Sequence, residues 1–273
     1  MSEEGPRNES TENSGGPREF WFESDGTRLF AVENGRGRPI ILLHGGLANH
    51  LACLPLVGSL PSRFRVITPD LRSSGKSVDG RPLTWDRLAD DVAALMRHLG
   101  AERAVVGGVS SGSGAALRFA LRYPEKTAAL VVVTPIYAGE ERGLTAQQAA
   151  TFKMMDAAGS RAIGEGVQVL RPLYEHLPSP IREKALAMID GFDAASVAAT
   201  TQFIASGAQP FASASEMHGL AVPTLLIPGN DPLHPAEVSN LYAAHIPNCV
   251  VSEPQVADRP TVIGDFCERR AAW

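Results

Sequence analysis

The stretch from Val105 to Gly114 (Val-Val-Gly-Gly-Val-Ser-Ser-Gly-Ser-Gly) constrains this chain more than any other part of it. An apolar β-branched run enters a G-x-S-x-G sequence at Gly108, Ser110 and Gly112, and a helical pattern follows at once through Leu117, Phe119, Ala120 and Leu121. Strand, tight turn and helix is the setting in which these five residues have mechanical meaning. Ser110 is forced onto a sharp corner, and its small neighbours let the backbone double back around it. The hydroxyl then stands above a sheet edge beside a helix N-terminus, where backbone N–H groups can meet a developing negative charge. Without that setting the same residues are only a Gly/Ser-rich loop.

Strand and helix signals alternate on both sides of this corner. Residues 20–23 and 29–33 predict a hairpin around Asp25-Gly26. Short apolar strands are predicted at 39–43, 64–68, 104–106, 128–133 and 222–227, with a last one at 248–252. Unbroken apolar runs of this kind are buried on both faces, as in a parallel sheet. Leu88, Val92, Leu95, Met96 and Leu99 fall at helical spacing ahead of Gly100, a C-cap signal. From Tyr137 to about His218 helical segments dominate, with irregular Gly and Pro punctuation and no strong strand candidate. Such a stretch between two strands reads as a lid or cap. The expected architecture is an α/β fold with a mostly parallel, doubly wound sheet and a helical cap insertion. Residues 1–18 read as a polar, disordered tail, 19–136 and 219–273 as the core, and 137–218 as the cap.

Composition narrows the function classes. A net charge of −5 with no basic stripe argues against a nucleic-acid partner. No apolar run approaches the ~20 residues that cross a bilayer, and the N-terminus lacks the apolar core of a signal peptide, so no membrane partner and a cytoplasmic location are expected. Cys53, Cys249 and Cys267 are an odd set without metal spacing and read as reduced thiols, Cys53 and Cys249 as buried ones.

Three further motifs fall at strand ends. His44-Gly45-Gly46-Leu47 offers glycines that can turn a backbone N–H toward a reacting carbonyl oxygen. Pro69-Asp70-Leu71-Arg72-Ser73-Ser74-Gly75-Lys76-Ser77 ends like a phosphate-binding loop, but Asp70 stands where that loop needs glycine, and phosphate binding is rejected. The third is Gly229-Asn230-Asp231-Pro232-Leu233-His234-Pro235. In this order, with the serine corner between them, the motifs make the chain from about Phe20 onward resemble the α/β-hydrolase family. The resemblance implies Ser110 as nucleophile, Asp231 as the acid of its triad, and the N–H groups of Gly46 and Ser111 as an oxyanion hole. It implies no cofactor and no metal, and a small apolar or amphipathic substrate selected by the cap. Asn-Asp-Pro is also a good turn sequence in its own right.

The chain departs from that family in three places. Ser73 replaces a glycine of the arginine motif, and Ser113 replaces the second of two glycines after the corner; both are small. The third departure bears on chemistry. The family's histidine belongs in the loop after the last strand, but residues 253–260 read Glu-Pro-Gln-Val-Ala-Asp-Arg-Pro and place Asp258 or Arg259 there. A serine near neutral pH needs a base within hydrogen-bond reach, and Arg259 stays protonated. Of the seven histidines, His44 reads as a structural part of its turn, His98 and His245 as surface residues, and His176 and His218 as cap residues without a local partner. His234, three residues past Asp231, and His50, just after the oxyanion turn, remain. Each is a relocated base or a polar wall of the substrate pocket, with the wall the preferred role for both. Two functions follow. One is a serine hydrolase of esters, lactones or related acyl compounds with an atypical triad. The other is a non-hydrolytic relative, a lyase, cyclase, isomerase or ligand-binding protein, that keeps the pocket alone.

Overall fold

A computed structural model describes residues 16–175, 177 and 179–273. Most of the expected tail, and His176, lie outside the described residues. Asp25 and Gly26 both hold positive φ, 47° and 70°, the backbone of a two-residue turn whose twist suits a hairpin. They join β1 (Arg18–Ser24) to β2 (Thr27–Asn34) in antiparallel register, so Arg18, expected in the tail, is already in the sheet opposite Glu33. Then follow β3 (Pro39–Leu43), a four-residue helix α1 (Leu54–Val57), β4 (Arg65–Pro69), α2 (Trp85–Leu99), β5 (Ala104–Val109), α3 (Ser111–Arg122) and β6 (Thr127–Val133). Helices α4 (Ala146–Glu165), α5 (Ile181–Ile189) and α6 (Ala194–Ala205) intervene before β7 (Thr224–Ile227), α7 (Ala236–His245), β8 (Cys249–Val251) and α8 (Arg259–Arg270).

The eight strands form one sheet in the order β1-β2-β4-β3-β5-β6-β7-β8, antiparallel at the β1–β2 and β2–β4 pairs and parallel elsewhere. The apolar runs explain its middle: every residue of β6 is buried, because helices cover both faces. Side chains of α2, α3 and α7 pack on one face, and those of α1 and α8 on the other. The strand expected from residue 222 begins at Thr224, since Pro223 has no N–H for the ladder and contributes only its carbonyl, to Leu130 N–H at 2.9 Å. Between β6 and β7 the helical insertion packs Ala162, Leu170, Ile189 and Val197 around Leu47 of the turn after β3. Within it α4 and α6 approach so closely that a methyl on Gly159 would overlap Thr201. Among the described residues no helix is long and apolar enough to cross a membrane.

One buried cation knits the hairpin to the rest. The Arg72 side chain has no exposed surface. Its five N–H donors meet Asp91 (2.9 and 2.5 Å), Asp79 (2.6 Å), Thr27 Oγ1 (2.8 Å) and the Ser24 carbonyl (3.0 Å). The guanidinium therefore joins both ends of the hairpin turn to α2 and to the loop after β4, with no donor unused. Burial works to raise the Asp79 carboxyl, but hydrogen bonds from Arg81, Arg72 and Thr27 outweigh it and hold the group well below the usual carboxylate range. Ser73, the first departure from the family pattern, holds φ 60°, a conformation that favours glycine. Its hydroxyl donates to the Asp79 carbonyl. Replacing Arg72 by Met leaves the buried Asp91 carboxylate with only the Ser24 hydroxyl, while Asp79 keeps Arg81, and urea unfolding is expected to show a loss of about 3–5 kcal/mol.

Candidate active site

β5 delivers Ser110 to the sheet edge with φ 55° and ψ −122°, a strained conformation for a side-chain-bearing residue. The sequence permits it through two glycines. A methyl on Gly108 would overlap the Gly112 carbonyl, and one on Gly112 would overlap the carbonyls of Leu43 and His44. Ser110 N–H donates to Val133 O at 3.0 Å, and the Ser113 hydroxyl donates to Ser110 O at 2.5 Å. The second small departure from the family pattern thus adds a brace to the corner. α3 starts at Ser111, so the Ser111 N–H lies in the first turn and has no partner within the helix.

The turn after β3, His44 to Leu47, presses against this corner. A Cβ built on Gly45 would stand 3.4 Å from Ser110 Cβ, and one on Gly46 3.3 Å from Ser111 Oγ and 2.7 Å from Ile204 Cδ1. His44 is structural: burial holds its ring below the usual histidine range, against the pull of Asp70. Neutral, it donates from Nδ1 to Gly45 O (2.7 Å) and accepts at Nε2 from Leu71 N–H (3.0 Å).

The loop after β7 brings acid and imidazole together in one turn. His234 Nδ1 lies 3.0 and 2.8 Å from the two oxygens of Asp231, and His234 Nε2 lies 2.9 Å from Ser110 Oγ. With the Nδ1 proton held by the carboxylate, Nε2 is an acceptor aimed at the serine hydroxyl. Asp231 Oδ1 also accepts from Leu233 N–H (2.8 Å) and His234 N–H (3.0 Å). Partial burial raises the Asp231 carboxyl, but the His234 contacts and these amides hold it below its ordinary value. The turn needs Gly229, where a methyl would overlap the Cβ of His234.

His50 is not part of this chain of contacts. Its Nδ1 and backbone N–H both bind Asp70 Oδ1 at 2.7 Å, and its ring packs 5.3 Å from that of Phe30. The segment after β8, where the family's histidine was expected, puts Arg259 at the start of α8. That residue lines a cleft of about 310 Å³ with Asn230 and Glu253. Cys53 and Cys267 are buried, and burial pushes both thiols up to about 12. Cys249, expected to be buried, is only half-buried because β8 is the sheet's edge strand.

Between the turn after β3 and the insertion lies an apolar chamber of about 30 Å³, walled by Leu71, Leu83, Trp85, Phe203 and Ile204 beside Gly46 and Ser111. Phe203 and Ile204, on α6, carried no local signal, because they reach the chamber only when the insertion folds over the sheet.

Comparison with known proteins places this geometry. The family profile described as "alpha/beta hydrolase fold" matches residues 38–257. The AB hydrolase superfamily protein YisY of Bacillus subtilis is 41% identical over 99 residues, 35% of this chain and 36% of that protein. The bifunctional esterase/perhydrolase DCH of Acinetobacter calcoaceticus is 35% identical over 115 residues, 40% of this chain and 41% of its own. The chain thus matches well under half the length of these curated relatives. A thermophilic esterase from Thermogutta terrifontis superposes with a TM-score of 0.73 at 23% identity, covering 92% of this chain and 97% of the esterase, a likeness of fold.

The lowered Asp231 value gives an acid signature. A carboxyl depressed by folding stabilises the protein above its unfolded value near about 3.9, and that contribution is lost as pH falls through the lower folded value. In chemical denaturation at a series of acidic pH values, Asp231→Asn is expected to lose stability less steeply than the wild type below about pH 4.

Proposed function

This chain belongs to the α/β-hydrolase fold family, and from that premise we propose that it is a serine hydrolase cleaving esters, lactones or related acyl compounds with a small acyl group. The observation that carries the reading is the unbroken contact chain from Ser110 Oγ to His234 Nε2 (2.9 Å) and from His234 Nδ1 to Asp231 Oδ2 (2.8 Å). Hydrolase and esterase names among the relatives support the same class.

In this reading Ser110 Oγ attacks the substrate carbonyl carbon as its proton passes to His234 Nε2. Asp231 stabilises the imidazolium and keeps the ring oriented. The carbonyl oxygen, now negative, is met by the N–H groups of Gly46 and Ser111. When the tetrahedral adduct collapses, the bond to the leaving alkoxide breaks and His234 returns the proton to it. Water then attacks the acyl-serine with His234 as base, releasing the acid and restoring Ser110. His234 thus takes the base role usually filled from beyond the last strand.

Labelling with a fluorophosphonate tests the assignment. Wild type is expected to label stoichiometrically, Ser110→Ala not at all, and His234→Ala about 10³-fold or more slowly. An unlabelled, folded wild type rejects the hydrolase reading.

The chamber sets acyl size. One water needs about 10–15 Å³ of such space, so the chamber, at about 30 Å³, has room for about two water-sized groups; a short acyl tail fits, and a longer chain meets Ile204 and Phe203. p-Nitrophenyl acetate is expected to be hydrolysed with a higher kcat/KM than the hexanoate, and Ile204→Ala to narrow or reverse that preference. Equal rates in wild type would refute the acyl-size assignment.

A further inference from the structure

The turn that carries His234 is held from outside at few points. Among the described residues, the hydrogen bonds that reach residues 231–234 from beyond the turn come from Ser110 and from Gln148. Gln148 stands in the first turn of α4, at the start of the insertion, and is 1% exposed. Its Nε2 donates to Leu233 O at 2.9 Å, the carbonyl immediately before His234, and to Ile136 O at 2.8 Å, where the chain leaves β6 for the insertion. Its Oε1 accepts from Thr145 N–H at 2.9 Å and completes a capping box. A single buried amide therefore uses both donors and its acceptor to join three segments.

The same helix backs one wall of the chamber. α4 packs on α6 through the close Gly159–Thr201 contact, and α6 supplies Phe203 and Ile204 to the chamber wall. Base turn and chamber wall are thus registered against one pair of helices. We infer that Gln148 is a positioning residue for His234, setting the height of the base turn over Ser110 and coupling the seat of the insertion on the sheet to alignment of the base. Its kinetic consequence rests on the serine-hydrolase reading. Its structural consequence, the placement of the His234 ring, does not.

The experiment compares Gln148→Met, which keeps volume but removes both donors and the acceptor, with Thr145→Ala, which breaks the capping box and leaves the two donor bonds. Readouts are thermal stability, p-nitrophenyl acetate kinetics, fluorophosphonate labelling and the NMR resonances of the His234 imidazole. For Gln148→Met kcat is expected to fall about 10- to 100-fold with KM little changed, labelling to slow in step, and the His234 resonances to shift. Thr145→Ala is expected to lose stability while keeping kcat and the His234 resonances. Should Gln148→Met not fold, Gln148→Glu, which keeps the acceptor for Thr145 and loses the donors, takes its place. A Gln148 variant with wild-type kcat and unmoved His234 resonances overturns the proposal, as does a Thr145→Ala variant that reproduces the full kinetic loss. If wild type neither labels nor hydrolyses the ester, the enzymatic reading fails, and the His234 resonances alone decide the positioning role.

Discussion

The corner between β5 and α3 depends on one backbone conformation, Ser110 held at φ 55°. A non-glycine residue in a sparsely populated region costs of order 1–3 kcal/mol and persists only where its surroundings over-determine it. Here they do. The Ser110 amide is bonded to Val133 on the neighbouring strand, and its carbonyl receives the Ser113 hydroxyl. Gly108 and Gly112 leave room for strand and helix to cross, and Gly45 brings the turn after β3 against its Cβ. Any side chain at the first two glycines would push α3 off the sheet, and the helix N-terminus would no longer face the hydroxyl.

Much of this was legible in the residues alone. Apolar runs located the strands because strands buried on both faces have no polar side to hide them, and β6 has none. The turn at Asp25-Gly26, the serine corner and the loop after β7 each have a local cause, so each shows locally. What escaped notice is what forms between segments distant in sequence. His234 stood out only as a neighbour of Asp231; that its Nε2 reaches Ser110 depends on a turn 124 residues away. Phe203 and Ile204 look like ordinary apolar helix residues until the insertion closes on Gly46. Gln148 left one trace, its spacing from Thr145, which marks a helix start and says nothing of Leu233. His50 follows the turn after β3 in sequence, and the bond of its ring to buried Asp70 likewise forms only when two strand-end loops meet.

Charge is handled differently at the centre and at the rim. Arg72 is enclosed by Asp79 and Asp91 with every donor satisfied, which makes it a joint. Asp70 collects two backbone amides, those of His50 and Lys76, besides the His50 ring, and so fixes two strand-end loops together. Asp231, in contrast, leaves about half its side chain exposed, at 53%. The hydrogen bonds it accepts from Leu233 and His234 both lie within its own turn.

Placing Asp231 and His234 three residues apart has a consequence for how the fold can vary. The acid and the imidazole are registered by four consecutive residues and need no agreement between two separate strand-end loops. The outermost strand and the segment after it supply no hydrogen bond to the ring. The hydrogen bonds between carboxylate and imidazole contain no residue of that edge, so its sequence is not constrained by them. The same locality makes the turn portable: a segment from Gly229 to Pro235 carries the relation between carboxylate and imidazole within itself.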